Sequence, residues 1–397
     1  MKVLIVYPKM NIYGGAELLV VRLSNYLSIT GNPNAILTTT ICPEVERDLQ
    51  GAEIIRCSFT PFSGELKGLN LPATLFKLHK GLREHRHRFD VINLHNYPAE
   101  LSIFPLKTSS VWMCNEPPEV EIGFRQIPKG SSRHLVLRII LAFDRYVVRK
   151  YARNAVVADE FNRDRFRRIY GLDARIINYG IDHDFFAQRP PPSSQEKSDK
   201  GLIVLHVGML TPLKNQIESV RTIEKLRDVI PGVKLILAGF GEGCYLDLIR
   251  DYIESNGLQE HVEITGHLDR SQVRNLYHSC DVLLHPIKSQ GGWLSPFEAI
   301  CARLPVVVSP QLTAARIIRE NELGIVTDDY AGAILKIYQN RNEYAESACR
   351  KAEWVKDHLS WDSFSERMLR SFKDVLAGKP IGQSEEELHV GQEHARA

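Results

Sequence analysis

Residues 1–27 read MKVLIVYPKMNIYGGAELLVVRLSNYL. The run 3–7 is apolar without interruption and rich in branched side chains, the pattern of a strand buried on both faces of a parallel sheet. A proline and a pair of glycines follow, and residues 18–27 then space their apolar side chains at the period of a helix. A strand, a loop and a helix in that order open an α/β unit.

The alternation continues. Residues 34–40, 90–94, 111–114, 155–158 and 175–177 read as further strands, giving a first Rossmann-like domain over 1–188. Between 188 and 201 the sequence QRPPPSSQEKSDKG has nothing apolar to pack and marks a domain boundary. The pattern restarts with strands at 202–207, 234–238, 262–265, 282–285 and 305–308 and a helix at 216–229, giving a second domain over 201–358. The expectation is α/β: two doubly wound Rossmann-like domains facing across a cleft, where the carboxyl ends of the sheets meet a ligand. Residues 361–376 form an amphipathic helix after the second sheet is complete, so 359–378 is expected to cross back onto the first domain. Residues 379–397 are polar, with an acidic SEEE run, and are expected to be disordered.

Composition narrows the function classes. At 397 residues, with 25% charged and 44% hydrophobic residues and a formal net charge of +2, nothing in the overall balance asks for nucleic acid. The 7 cysteines are odd in number and scattered, without a CxxC pair or Cys/His spacing for a metal, and read as reduced thiols of a cytoplasmic protein. No stretch approaches the ~18 apolar residues that span a bilayer, and the N-terminal run is too short for a signal sequence.

The most specific stretch is 289–308, SQGGWLSPFEAICARLPVVV. Ser295 as N-cap, Pro296 at the first helical position and Glu298 at the third would make a capping box, which by itself accounts for the glutamate. Gly291, Gly292, Trp293 and Leu294, set just ahead of that helix, are not explained by a cap. They point amides and a positive dipole end at an anion such as a diphosphate. A second loop, VGMLTPLKNQ at 207–216, puts Gly208 and Lys214 between a strand and a helix. A third, AGFGEG at 238–243, carries Gly239 and Gly241 but fails the GxGxxG spacing of a dinucleotide fingerprint. Gly266, His267 and Leu268 follow the strand 262–265. In the first half, YGGAE sets Gly14 and Gly15 at a strand-to-helix junction, and DVINLHNYP sets His95 past the end of a strand, where α/β sheets hold ligands.

Together these motifs, over nearly all of residues 1–376, resemble family 4 retaining glycosyltransferases (glycosyl transferases group 1, GT-B fold). Glu298 matches the second glutamate of that family's donor signature, whose partner position is held here by Gln290. Lys214 matches the diphosphate-binding lysine, while Met209 stands where the family has an arginine. The resemblance implies that Glu298 bonds the donor ribose, that Gly14, Gly15, Gly239 and Gly241 line the donor site, and that 266–268 meet the nucleobase. It places His95 near the anomeric carbon of the transferred sugar. Asn115, Glu116, Pro117, Gly180 and Asp182 also fall on family landmarks. The activity implied is transfer, with retention, of a mannose- or glucose-type hexose from a nucleotide diphosphate sugar to a glycan or lipid-linked acceptor in cell-surface polysaccharide or glycolipid synthesis. No metal is implied, since the Asp182 and Asp184 string lies in the family's turn. Two alternatives stay open: a nucleotide-sugar 2-epimerase of the same fold, and a non-catalytic donor-binding subunit. Arginine-rich stretches at 79–88, 133–153 and 163–168 add an anionic membrane surface as an expected partner, with the protein peripheral at the inner face of the cell membrane.

Overall fold

The computed structural model describes residues 1–63, 69–118, 130–189, 201–288 and 293–381. The chain forms two compact units, one built from Met1–Tyr179 with Trp361–Ala397, the other from Gly180–Ser360.

The first unit holds β1 (Val3–Val6), β2 (Asn34–Thr38), β3 (Glu53–Arg56), β4 (Val91–His95), β5 (Ser110–Met113), β6 (Ala155–Val157) and β7 (Ala174–Ile176). Among the described residues these make a parallel sheet in the order β3-β2-β1-β4-β5-β6-β7. The apolar run at 3–6 is buried throughout because it sits mid-sheet, with Val3 opposite both Asn34 and Val91. Strand order reverses between β1 and β4, which opens a ligand-holding point at their carboxyl ends. The helix Trp361–Leu376 returns to this unit, as expected, and packs on the helix Gly15–Ile29 and on β5. Phe364, Met368 and Phe372 recur along its buried face. Arg175 fixes its last turn through Asp374 at 2.8 Å and Ser371 Oγ at 2.9 Å.

The second unit holds β8 (Ile203–Val207), β9 (Lys234–Ala238), β10 (Val262–Gly266), β11 (Val282–His285), β12 (Val306–Val308) and β13 (Ile325–Val326). The order is β10-β9-β8-β11-β12-β13, again parallel, with its reversal between β8 and β11. The division between units falls at Tyr179 and Gly180, ahead of the proline-rich stretch. The reason is local: Phe186 of the short helix His183–Ala187 is buried, its carbonyl meets the His278 ring at 2.8 Å, and the helix packs on Leu294–Cys301. Residues 190–200 of that stretch, and the tail from 382 on, lie outside the described residues. Among the described residues no helix is long and apolar enough to cross a membrane.

Candidate functional site

In the second unit the loop after β8 is shaped by its neighbours. The Gly208 N–H donates to the Ala238 carbonyl at 2.9 Å and the Leu210 N–H to that of Phe240 at 2.8 Å, so the loops after β8 and β9 run side by side. A Cβ on Gly239 would stand 2.0 Å from the Gly208 oxygen, and one on Gly241 would stand 2.4 Å from Leu210 Cβ. Close backbone approach therefore requires both glycines, whatever ligand they meet. Buried Gln216 staples the turn, its Nε2 donating to the Met209 carbonyl at 2.9 Å and its Oε1 accepting from Thr211 N–H at 3.3 Å. Asn215, in the left-handed region at φ 61°, donates to the Pro286 carbonyl at 2.9 Å, and Lys288 N–H donates to Leu213 O at 2.9 Å. The loops after β8 and β11 are thereby joined at the switch point. Lys214 sits in that junction with its stem lying over Gly208. Met209 is 53% exposed.

Beneath this loop the buried rings of His206 and His285 stand edge to face, 5.6 Å apart. His206 Nδ1 meets Ser219 Oγ at 2.8 Å. Burial first, and the Lys214 charge second, push His206 down to about 3, so it is neutral and adds no charge under Lys214.

The helix carrying Glu298 begins at Leu294, with Trp293 already in helical conformation and no side-chain cap. Ser295 therefore lies inside the first turn and the expected capping box does not form. Glu298 accepts instead from the Tyr277 hydroxyl at 3.0 Å. Burial raises its carboxyl to about 7, against the opposing charge of Arg270 and the Tyr277 hydrogen bond. Arg270 itself bonds Asp182 and lies 4.8 Å over the Phe185 ring, while Asp184 pairs with His183 at 3.1 Å. Trp293 is buried against Phe297, ring centroids 4.6 Å apart, so its indole serves the core. Gln290, Gly291 and Gly292 lie outside the described residues. Gly266, with φ 76°, ends β10, one strand removed from β8, and is followed by exposed His267 and half-buried Leu268.

In the first unit Gly15 opens a helix, and the Gly14 N–H donates to Glu17 Oε2 at 3.1 Å. The amide of Gly14, a residue that the resemblance sets in the donor site, is thus engaged within the chain. Glu17 Oε1 accepts from Tyr7 at 2.8 Å, the Tyr7 oxygen accepts from Asn96 Nδ2 at 2.9 Å, and Asn96 Oδ1 accepts from Asn115. This polar chain crosses the carboxyl ends of β1, β4 and β5. His95 is the last residue of β4, not a loop residue; it is fully buried, and among the described residues neither ring nitrogen has a hydrogen-bond partner. Burial lowers it to about 3, so it is neutral, and the Tyr7 ring lies 6.4 Å away. Sequence reasoning missed Tyr7, Glu17 and Asn96. Their signal was polar residues recurring just past the ends of adjacent strands at the reversal of strand order.

Comparison with known proteins agrees in both halves. Residues 13–185 match the family model Glycosyltransferase Family 4, and residues 189–354 match Glycosyl transferases group 1. A GDP-mannose-dependent alpha-(1-6)-phosphatidylinositol monomannoside mannosyltransferase of Mycobacterium tuberculosis is 24% identical over 299 residues, 68% of this chain and 76% of its own. A glycogen synthase of the same organism is 22% identical over 339 residues, 76% of either chain. Anabaena HepE, solved in complex with UDP and glucose, superposes with a TM-score of 0.73 at 16% identity, covering 94% of this chain and 99% of its own. WaaG, a glycosyltransferase involved in lipopolysaccharide biosynthesis, gives 0.71 at 18% identity, covering 95% and 100%. At such identities the structural likeness speaks for the fold alone. With a model matching each half, the chain belongs to the group 1, family 4 glycosyltransferases, and its fold is of the GT-B class.

Proposed function

We propose that this glycosyltransferase moves a mannose- or glucose-type hexose from a nucleotide diphosphate sugar to a glycan or lipid-linked acceptor, with retention of anomeric configuration, in the building of a cell-surface polysaccharide or glycolipid. The observation that carries the reading is Lys214, held at the switch point of the second sheet by the Gln216 and Asn215 contacts. A cation fixed there meets the charge that grows on a departing diphosphate. Relatives support these classes of donor and acceptor: the name of one gives GDP-mannose and a phosphatidylinositol mannoside, and one structural neighbour holds UDP and glucose.

In this reading Glu298 takes the ribose hydroxyls and neutral His95 orients the sugar by hydrogen bonding. The reaction runs on one face of the sugar: the bond from the anomeric carbon to the diphosphate oxygen breaks, the acceptor oxygen bonds to that carbon, and the diphosphate takes the acceptor proton. No metal is called for in this scheme. The test is a thermal-shift panel of nucleotide sugars, since a ligand that binds only the folded chain raises its melting temperature. Transfer from the best donor to mannoside and glucoside acceptors follows, with the new linkage read by NMR. An inverted linkage removes retention. Release of a free epimerised nucleotide sugar, or a bound donor never consumed, replaces transfer by one of the alternatives.

A further inference from the structure

Two helices of the second unit close on the same motif. After Leu294–Cys301 the Arg303 N–H donates to the Ile300 carbonyl and the Leu304 N–H to that of Ala299, each at 2.9 Å. After Ala315–Glu320 the Glu322 N–H donates to the Arg319 carbonyl at 3.2 Å and the Leu323 N–H to that of Ile318 at 2.9 Å. This closure sets one residue in the left-handed region, the place of a glycine. Gly257 and Gly378 fill it where the same bonds close Cys244–Ser255 and Trp361–Leu376. Here it falls to Arg303 at φ 64° and Glu322 at φ 52°. Among the described residues the other non-glycine residues in that region are Asn96 and Asn215, and asparagine tolerates it. The two strained charged residues flank one place, and strain of this kind points to a use.

That place is a hollow of about 230 Å³, open to solvent, whose lining is apolar through Ile300, Leu304, Leu323 and Ala348 and cationic through Arg303 and Lys351. Arg303 is exposed, and among the described residues its guanidinium has no ion pair. The Lys351 ammonium lies 5.5 Å over the Tyr344 ring. Burial, with Arg350 beside it, lowers the Lys351 pKa against the pull of Glu322 and Glu343, so this cation is short of counter-charge. Pro305 leads from the hollow into the amino end of β12, whereas Lys214 follows the carboxyl end of β8. In a parallel sheet these are opposite edges, so the hollow is separate from the Lys214 loop.

We infer that the hollow binds a small organic acid, with its carboxylate between Arg303 and Lys351 and its short aliphatic body on Ile300, Leu304, Leu323 and Ala348. The volume falls below the ~300–1,000 Å³ of sites for larger ligands. An apolar lining would leave the hydroxyls of a second sugar unpaired. A cation beside a helix C-terminus also eases the helix dipole, but a residue of ordinary φ in the last turn would do that without strain.

The test is saturation-transfer NMR of the full chain with butyrate and with its neutral isostere butyramide, inorganic phosphate serving as competitor. Butyrate is expected to receive transfer, most at its methyl, and butyramide to bind roughly tenfold more weakly, the scale of one charge-assisted hydrogen bond. Arg303→Gly and Lys351→Met are each expected to weaken butyrate by a similar factor. Arg303→Gly is also expected to melt no lower than wild type, since glycine takes φ 64° freely. A lower melting temperature would mean that the arginine serves the fold, and overturns the inference. So do absence of transfer to butyrate in the wild type, equal binding of butyramide, and butyrate binding indifferent to either variant. Phosphate competing at the affinity of butyrate overturns it as well, because the cations then take a bare anion and the apolar lining takes nothing. Binding is read without turnover, so it stands or falls apart from glycosyl transfer.

Discussion

The Tyr277 hydroxyl donates to the Glu298 carboxylate across 3.0 Å, joining the helix Arg270–Ser279 to the helix Leu294–Cys301. Burial holds that carboxyl at about 7, so it passes from neutral to ionised in the physiological range. An ionised carboxylate is the stronger acceptor of ribose hydroxyls. Affinity for GDP or UDP is expected to rise roughly tenfold from about pH 6 to about pH 8, following the ionised fraction. Glu298→Gln should flatten the profile. Calorimetric titration at each pH checks it, and a flat wild-type profile takes Glu298 out of the donor site.

A second titration belongs to the first unit. Asp144 is buried beside Glu100 and accepts from the Tyr170 hydroxyl at 2.9 Å. Burial raises Asp144 to about 6, and burial together with the Asp144 charge raises Glu100 well above the usual carboxylate range. A folded-state value above the unfolded one means that the folded chain keeps a proton the unfolded chain releases, so stability falls as pH rises between them. The melting temperature is expected to drop from about pH 4 to about pH 6, and Asp144→Asn, which keeps an acceptor for Tyr170, to recover roughly 5 °C of that drop. Glu298 acts in the same direction, so the difference between variant and wild type is the quantity to read. A variant that tracks wild type at every pH would show that Asp144 does not titrate there.

Lys214→Ala is expected to lower kcat/KM by roughly 10²- to 10³-fold, the scale of losing one preorganised electrostatic contact. The charge it meets grows as the glycosidic bond breaks, so kcat should suffer more than donor binding. Steady-state transfer, with a thermal melt to confirm folding, is the measurement. Near-wild-type turnover in a folded variant assigns the diphosphate to other groups.

Gly239→Ala forces a methyl into the Gly208 carbonyl, 2.0 Å away. The expected cost is about 2 kcal/mol of stability from overpacking, with a fall in kcat/KM as the Lys214 loop is displaced. Gly257→Ala provides the comparison: its φ of 62° disfavours a side chain but nothing stands within 4 Å. It should cost about 1 kcal/mol through backbone strain alone and leave turnover unchanged. Equal effects on turnover from the two would deny the coupling between the loops.

Much of the fold was legible because its central strands are buried on both faces. Val3–Val6 and Val282–His285 announce themselves as apolar runs. Glu53–Arg56 does not, since this edge strand fully buries only Ile55, and Ile325–Val326 is too short to carry a pattern. The site was less legible for a different reason. Lys214 and Glu298 could be picked out by their motifs, but Tyr277, Tyr7 and Asn96 act through partners far along the chain, and no local spacing encodes such a partner. The capping box at Ser295 is the reverse case: the local pattern was present, yet the helix starts at Leu294 and Glu298 turns to Tyr277.

The returning helix Trp361–Leu376 bears on how the protein is made. The second unit is one uninterrupted stretch, Gly180–Ser360, whereas the first is split between residues that precede it and residues that follow it. A nascent chain cannot finish the first unit until the ribosome has delivered residues 361–376, by which time the whole second unit has emerged. Until then the surface of Gly15–Ile29 and β5 that the helix covers stays uncovered. Truncation at about residue 360 should spare the later-made unit and strand the earlier-made one, so a stop at that point does its damage in the part of the chain made first.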